Sequence, residues 1–234
     1  MTAYADDDHT NHPLVQAYSR ADDLHVPISA LVELTHACNV DCEHCYLDLQ
    51  ADKKIGALST DEWKRIFGEL KGAGCLFLTM SCGELLIRRD WFELGAHARE
   101  LGFALRLYTN GTLIDDEAAD KIKSLKPLGV EISLLGGIAV THDAITRRKG
   151  AFEKTIAGIK RLKERSVPVI LKCVVMDRNA NEINELRALA STLECTLYFD
   201  MEISPKNDGQ DVASTVAPRG NTLLEAARSV LGDA

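Results

Sequence analysis

The chain has 234 residues, 46% of them hydrophobic and 26% charged, and its 27 Lys and Arg against 35 Asp and Glu give a net charge of −8. That length suits one or two domains, and a single α/β barrel can use all of it. Ordinary globular composition, with no uncharged apolar run of about 18 residues, excludes a disordered or membrane-inserted chain. The acidic balance repels phosphate backbones, so no nucleic acid and no membrane is expected as a partner.

The opening MTAYADDDHT carries three aspartates where a secretory signal would be basic and then apolar, so the expected location is cytoplasmic. Seven cysteines, an odd number in a reducing compartment, point to metal or redox chemistry and away from a disulfide framework. Residues 1–28 read as a polar N-terminal arm with aperiodic charge and room for a short helix. From residue 29 short apolar, β-branched or aromatic runs alternate with longer amphipathic stretches, the pattern of an α/β protein with a parallel sheet. The expected strands are Ala30–Leu34, Leu76–Met80, Ala104–Tyr108, Val130–Leu134, Val167–Val175 and Thr196–Ile203.

Ser59-Thr60-Asp61-Glu62 and Asp115-Asp116-Glu117 are helix starts, because small hydroxyls and acids cap exposed amides. Further helices are expected near Trp91–Leu101, Phe152–Arg165, Ile183–Thr192 and Thr222–Leu231. Six β/α units with right-handed crossovers curl into a partial (β/α)6 TIM-like barrel of parallel strands or lie as a doubly wound sheet, and periodicity leaves both open. Either way, functional residues belong at the C-terminal ends of strands. The expected division is residues 1–28 as arm, 29–204 as barrel and 205–234 as a tail with a final helix.

The first strand is followed by His36-Ala37-Cys38-Asn39-Val40-Asp41-Cys42-Glu43-His44-Cys45-Tyr46. CxxxCxxC spacing wraps three thiolates around one centre, and soft thiolates select iron–sulfur clusters, zinc or Cu(I). Three ligands leave a fourth position open, the mark of a catalytic centre. A structural zinc site completed by His36 or His44 is the rival.

At these residues the sequence resembles the radical S-adenosylmethionine (SAM) superfamily, and within it the peptide- and protein-modifying enzymes whose loop reads like LTxxCNxxCxHCY. The resemblance runs over residues 29 to about 209. It implies the partial barrel and a [4Fe-4S] cluster on Cys38, Cys42 and Cys45, with SAM chelating the unique iron. It also implies reductive cleavage of SAM to a 5′-deoxyadenosyl radical that abstracts hydrogen from a peptide or protein side chain. An electron donor such as a flavodoxin or ferredoxin is then a partner.

Ser81-Cys82-Gly83-Glu84-Leu85 resembles the family's GGEP segment, which cradles the SAM amino group, with Cys82 for the first glycine and Leu85 for the proline. Cys82 is read either as a small, soft space-filler or as a fourth iron ligand that would exclude SAM. Tyr108-Thr109-Asn110-Gly111-Thr112 resembles the TNG turn. Ser133-Leu134-Leu135-Gly136 resembles SLDG, with Leu135 where the family has aspartate.

The resemblance therefore makes His44, Tyr46, Ser81, Cys82, Gly83, Glu84, Asn110, Ser133 and Arg147 the SAM-contact candidates, with Arg147 or Arg148 for the SAM carboxylate. His142 and Asp143 are expected to hold their loop. Lys172, the single charge in strand five, either points into the barrel or meets a helix acid. Cys75, Cys173 and Cys195 read as buried inert thiols, and Asp200, Glu202 and Glu33 are undifferentiated acid–base candidates. Many relatives carry a cysteine-rich C-terminal domain for auxiliary clusters, but no cysteine follows Cys195. None is expected here, and substrate recognition falls to the barrel mouth, the acidic arm or a partner protein. The alternative to an enzyme is a degenerate relative that keeps a cluster as sensor, electron carrier or subunit.

Overall fold

The computed structural model describes residues 13–47, 58–81 and 83–231. Position 82 lies outside them, so both readings of Cys82 fall on an undescribed residue. The strands are β1 (Ser29–Glu33), β2 (Phe77–Ser81), β3 (Ala104–Thr109), β4 (Gly129–Ser133), β5 (Val169–Val174) and β6 (Thr196–Asp200). Helix α1 (Pro13–Asp23) precedes them; α2 (Thr60–Gly72), α3 (Trp91–Glu100), α4 (Asp116–Leu125), α5 (Ala139–Thr146), α6 (Ala151–Glu164) and α7 (Ile183–Thr192) lie between strands. Two more, α8 (Ala213–Val216) and α9 (Gly220–Leu231), follow β6.

All six strands are parallel and each pairs with the next in sequence. Right-handed crossovers in an order that never reverses place every connecting helix on one face. A doubly wound sheet needs a reversal, so the open choice closes on the partial barrel. The burial pattern agrees: Leu78, Met80, Leu105, Leu107, Val130, Ile132 and Leu171 are fully or almost fully buried towards the helices. Their alternating neighbours Thr79, Arg106, Tyr108, Ile170 and Lys172 face a lumen and keep solvent contact.

The helix starts fall where capping chemistry puts them. Ser59 accepts from the Glu62 amide while Glu62 returns a bond to the Ser59 amide, a complete capping box for α2. Asp115 caps α4 through the Ala118 amide. Phe67 and Phe103 are among the largest wholly buried side chains, each contributing about 1.5–3 kcal/mol by leaving water.

Strand ends were less legible. β5 is shorter than the Val167–Val175 run because Ser166 sits at φ +57° and Pro168 has no amide to donate. β6 stops at Asp200, whose carboxylate turns back to the Glu202 amide. Helix α5 lies where only a loop motif was visible; it is eight residues with no side-chain N-cap.

Asn179 ties the ends of β4 and β5 together from a fully buried position. Its amide donates to Leu135 O (3.0 Å) and Val174 O (2.9 Å), and its oxygen accepts from the Met176 amide at 2.7 Å. Asn179→Ala is expected to cost about 2–3 kcal/mol, since buried backbone groups lose partners that water cannot replace. A urea midpoint unchanged from wild type would refute this.

Candidate active site

The cysteine loop is a backbone structure before it is a ligand set. From β1 it runs beside the segment after β2: Gly83 N donates to Thr35 O at 3.0 Å and Glu84 N to Ala37 O at 2.9 Å. Gly83 is required by that approach. A Cβ there would meet Ala37 O at 2.4 Å and Ala37 C and His36 O at 2.8 Å. On the other side, Asp41 N donates to Thr146 O (3.1 Å) and Glu43 N to Ile145 O (3.0 Å), so the end of α5 holds the loop's far limb.

The TNG turn touches the loop from a third direction. Asn110 Nδ2 donates to Asn39 Oδ1 at 2.9 Å and lies 3.9 Å from Cys38 Sγ, and Asn39 Nδ2 donates to Thr112 Oγ1 at 2.8 Å. Gly111, at φ +78°, makes the bend.

Glu84 is wholly buried. Oε1 accepts from Thr109 Oγ1 (2.7 Å) and the Leu86 amide (3.0 Å), and Oε2 accepts from the Asn110 amide at 2.8 Å. Burial pushes its carboxyl above the usual range, against these three donors. The side chain thus locks β2 to the TNG turn, and these bonds direct its carboxylate into the protein.

Cys38 Sγ donates to Gly83 O at 3.2 Å. Burial pushes the Cys38 thiol up to about 11, and Cys42 and Cys45 are also raised by burial. The thiols sense one another: Cys45 contributes to the rise at Cys38, and Cys38 and Cys45 to that at Cys42. Three half-buried thiols on one short loop are a soft donor set of the kind that iron–sulfur clusters take. The residues therefore fit a cluster. Among the described residues no three His, Cys, Asp or Glu side chains, the three thiols included, are grouped closely enough to hold a single metal ion. His36 Nε2 lies 3.2 Å from Glu33 instead. His44 is half-buried with its Nδ1 atom out of contact with solvent and without a hydrogen-bond partner among the described residues, and burial lowers its pKa to about 4.

The remaining candidates lie around this loop. The Tyr46 hydroxyl donates to Glu33. The Ser81 carbonyl accepts from the Leu34 amide at 3.1 Å, extending β1 into the loop. Ser133 is exposed at the C-terminal end of β4. Arg147 takes a left-handed conformation after α5 and its half-exposed guanidinium lies 3.3 Å from Asp41 of the cysteine loop. Asp143 holds its turn through the Gly150 and Phe152 amides at 2.6 and 2.9 Å. Lys172 meets a strand acid and no helix acid: Nζ is 3.3 Å from Glu131 in the lumen.

His142 is buried edge-to-face against Phe152, and its Nδ1 accepts from the Leu135 amide at 3.1 Å. Burial lowers its pKa to about 4 from an unfolded 6.5. Between these values the unfolded chain takes up a proton that the folded ring refuses. This part of the stability is whole above pH 6.5 and is lost as pH falls towards 4, about 3 kcal/mol in all. Urea unfolding at pH 7 and pH 4.5 should show it in wild type and show less in His142→Asn; equal losses would contradict the assignment.

Arg88 was not legible as a site residue. Its side chain, only 10% exposed, donates to Leu34 O (2.8 Å) before the cysteine loop and to Leu58 O (2.9 Å). Asp90 grips it through both carboxylate oxygens. No spacing signals a clamp whose partners are carbonyls.

Residues 32–190, more than half the chain, match the Radical SAM superfamily. The chain belongs to this superfamily. Membership implies a [4Fe-4S] cluster and SAM as cofactors. An AdoMet-dependent heme synthase of Methanosarcina barkeri is 34% identical over 186 residues, covering 80% of this chain and 53% of its own. The mycofactocin maturase MftC of Mycobacterium tuberculosis is 31% identical over 213 residues, covering 91% and 53%. The PqqA peptide cyclase of Rhodopseudomonas palustris is 30% identical over 181 residues, covering 77% and 48%.

Among solved structures, Streptococcus suis SuiB bound to precursor peptide SuiA aligns with TM-score 0.67 at 18% identity, over 85% of this chain and 47% of that one. Native anSMEcpe with bound AdoMet and a peptide aligns with TM-score 0.69 at 19% identity, over 88% and 59%. These two likenesses carry the fold. The radical SAM chain spans about half the length of the curated relatives it matches. No helix among its described residues is long and apolar enough to cross a membrane.

Proposed function

We propose that this chain is the catalytic core of a radical SAM enzyme acting on a peptide or protein side chain. Cys38, Cys42 and Cys45 would hold the cluster, with Gly83, Asn110 and Ser133 beside the SAM site. Bound there, the cluster supplies the electron for reductive SAM cleavage and so the power to abstract hydrogen. The chain's own part is to fix the three thiols, hold the TNG turn with Glu84, and enclose the reacting group in the lumen. The observation that carries this reading is the three-sided anchoring of the cysteine loop, to the segment after β2, the TNG turn and the end of α5.

The departures at Leu85 and Leu135 do not favour the degenerate alternative. Leu85 is wholly buried in the main core, and Leu135 packs with Ile145 and Met176 in a small cluster against which Cys42 also packs, so both are core-filling residues. A peptide substrate is supported by the names of the PqqA peptide cyclase, the maturase MftC and the sporulation killing factor maturation protein SkfB. We place the protein in the cytoplasm with a flavodoxin- or ferredoxin-like donor.

Anaerobic reconstitution, then dithionite and SAM, should yield 5′-deoxyadenosine at least about tenfold above a Cys38→Ala control. A full cluster with bound SAM and no 5′-deoxyadenosine, with peptide present, would overturn the enzyme reading.

A further inference from the structure

The lumen face of the sheet carries a layer of charge that the cluster and SAM do not explain. Glu131 of β4 is buried at 5% side-chain exposure, whereas Arg106 of β3 and Lys172 of β5 stay 47% and 40% exposed. Arg106 Nη1 lies 3.5 Å from one Glu131 oxygen and Lys172 Nζ 3.3 Å from the other. One sunken carboxylate thus underlies two cations, so the surface an incoming group meets is positive by one charge. Lys172 carries three donors and Arg106 five, more than one carboxylate can accept.

The surroundings shape the place. Lys172 Nζ sits 5.1 Å over the Tyr108 ring, and the ladder partner of Lys172 on β6 is Tyr198, 57% exposed. The other acids on this face keep their charge and are engaged by their own donors: Glu33 accepts from Tyr46 and lies by His36, and Asp200 accepts from the Glu202 amide at 2.9 Å. Lys172 is level with Ser133, at the end of the sheet that bears the cysteine loop. The positive excess belongs to the Arg106–Glu131–Lys172 group alone, two exposed cations over one buried carboxylate, in a protein of net charge −8.

The geometry points to a substrate-carboxylate subsite in the lumen, formed by Lys172 and Arg106 over Glu131 and flanked by Tyr108 and Tyr198. It rests on the reading of the chain as an enzyme whose substrate enters the lumen, and it names the substrate as one carrying a carboxylate near its reacting end. Glu131 lies beneath both cations and offsets one of their two charges.

The test uses the reconstituted holoenzyme without reductant, so it does not depend on SAM cleavage. The probes are N-acetyl-glutamate methylamide, its neutral glutamine counterpart, and N-acetyl-alanine as a terminal carboxylate, followed by ligand-observed saturation-transfer NMR. Either acidic probe should bind about tenfold or more tightly over the neutral one, and which acid wins separates a side-chain from a terminal carboxylate. Lys172→Met should abolish the preference, Lys172→Arg should retain it, and Glu131→Gln should strengthen acid binding. Equal binding of the neutral probe, loss of the preference in Lys172→Arg while the variant melts like wild type, or displacement of the acid by SAM would overturn the assignment. The last outcome would move the site to the cofactor and leave the enzymatic reading standing.

Discussion

Gly83→Ala is expected to lower the iron and sulfide retained after reconstitution several-fold while leaving the barrel folded. The added Cβ would lie 2.4 Å from Ala37 O and 2.8 Å from Ala37 C and His36 O. All three are backbone atoms, so no rotamer change relieves the contact. Ala37 must move, and with it Cys38, whose sulfur is 3.2 Å from the Gly83 carbonyl. The Gly83–Thr35 and Glu84–Ala37 hydrogen bonds weaken together, at about 1 kcal/mol each. Far-ultraviolet dichroism should be close to wild type, because the contact lies outside the helices and the sheet. Wild-type iron content in this variant would show that the loop tolerates the shift and that Gly83 does not set it.

The largest stability effect is expected at Glu84. Glu84→Ala strips partners from the Leu86 amide, the Asn110 amide and the Thr109 hydroxyl at a site with no solvent access. With about 1–3 kcal/mol for each buried donor left unmade, partly relieved by rotation of the Thr109 hydroxyl, the loss is about 3–5 kcal/mol. For a chain of this size that lowers Tm by roughly 10 °C. Glu84→Gln keeps one acceptor but turns an NH2 against a donor, so it should fall between Ala and wild type. Both variants should also hold cluster less well, because the freed turn carries Asn110, which meets the cysteine loop at Asn39. Glu84→Ala melting within about 2 °C of wild type would mean that the carboxylate does not lock β2 to the turn.

The sequence made the sheet legible because each strand is a short apolar run and each crossover has its own amphipathic period. Ser59 and Asp115 announced their helices through groups that bond within three residues, a range over which a chain can be read directly. The cysteine loop was legible for a different reason, since its three thiols lie within eight residues of sequence. What depends on partners far along the chain was not. Asn110 stood out as a turn residue, yet its bond to Asn39 bridges 71 residues. Arg88 reaches back 54 residues to a carbonyl. The lumen layer did leave a trace: Arg106 and Tyr108 in β3, and Glu131 and Ser133 in β4, are polar residues spaced by two, which marks an inward face once the strands are accepted.

The cysteine loop follows the first strand, but part of its support is made late. Its far limb hangs from the carbonyls of Ile145 and Thr146, and Asp41 pairs with an arginine 106 residues further on. At a synthesis rate of about 5–20 residues per second, roughly 5–20 s separate the appearance of the thiols from that of their final braces. During that interval the thiols belong to an unfinished pocket. On the proposed assignment of these thiols, a correctly shaped receptor for iron and sulfide is therefore complete only after most of the barrel has been translated.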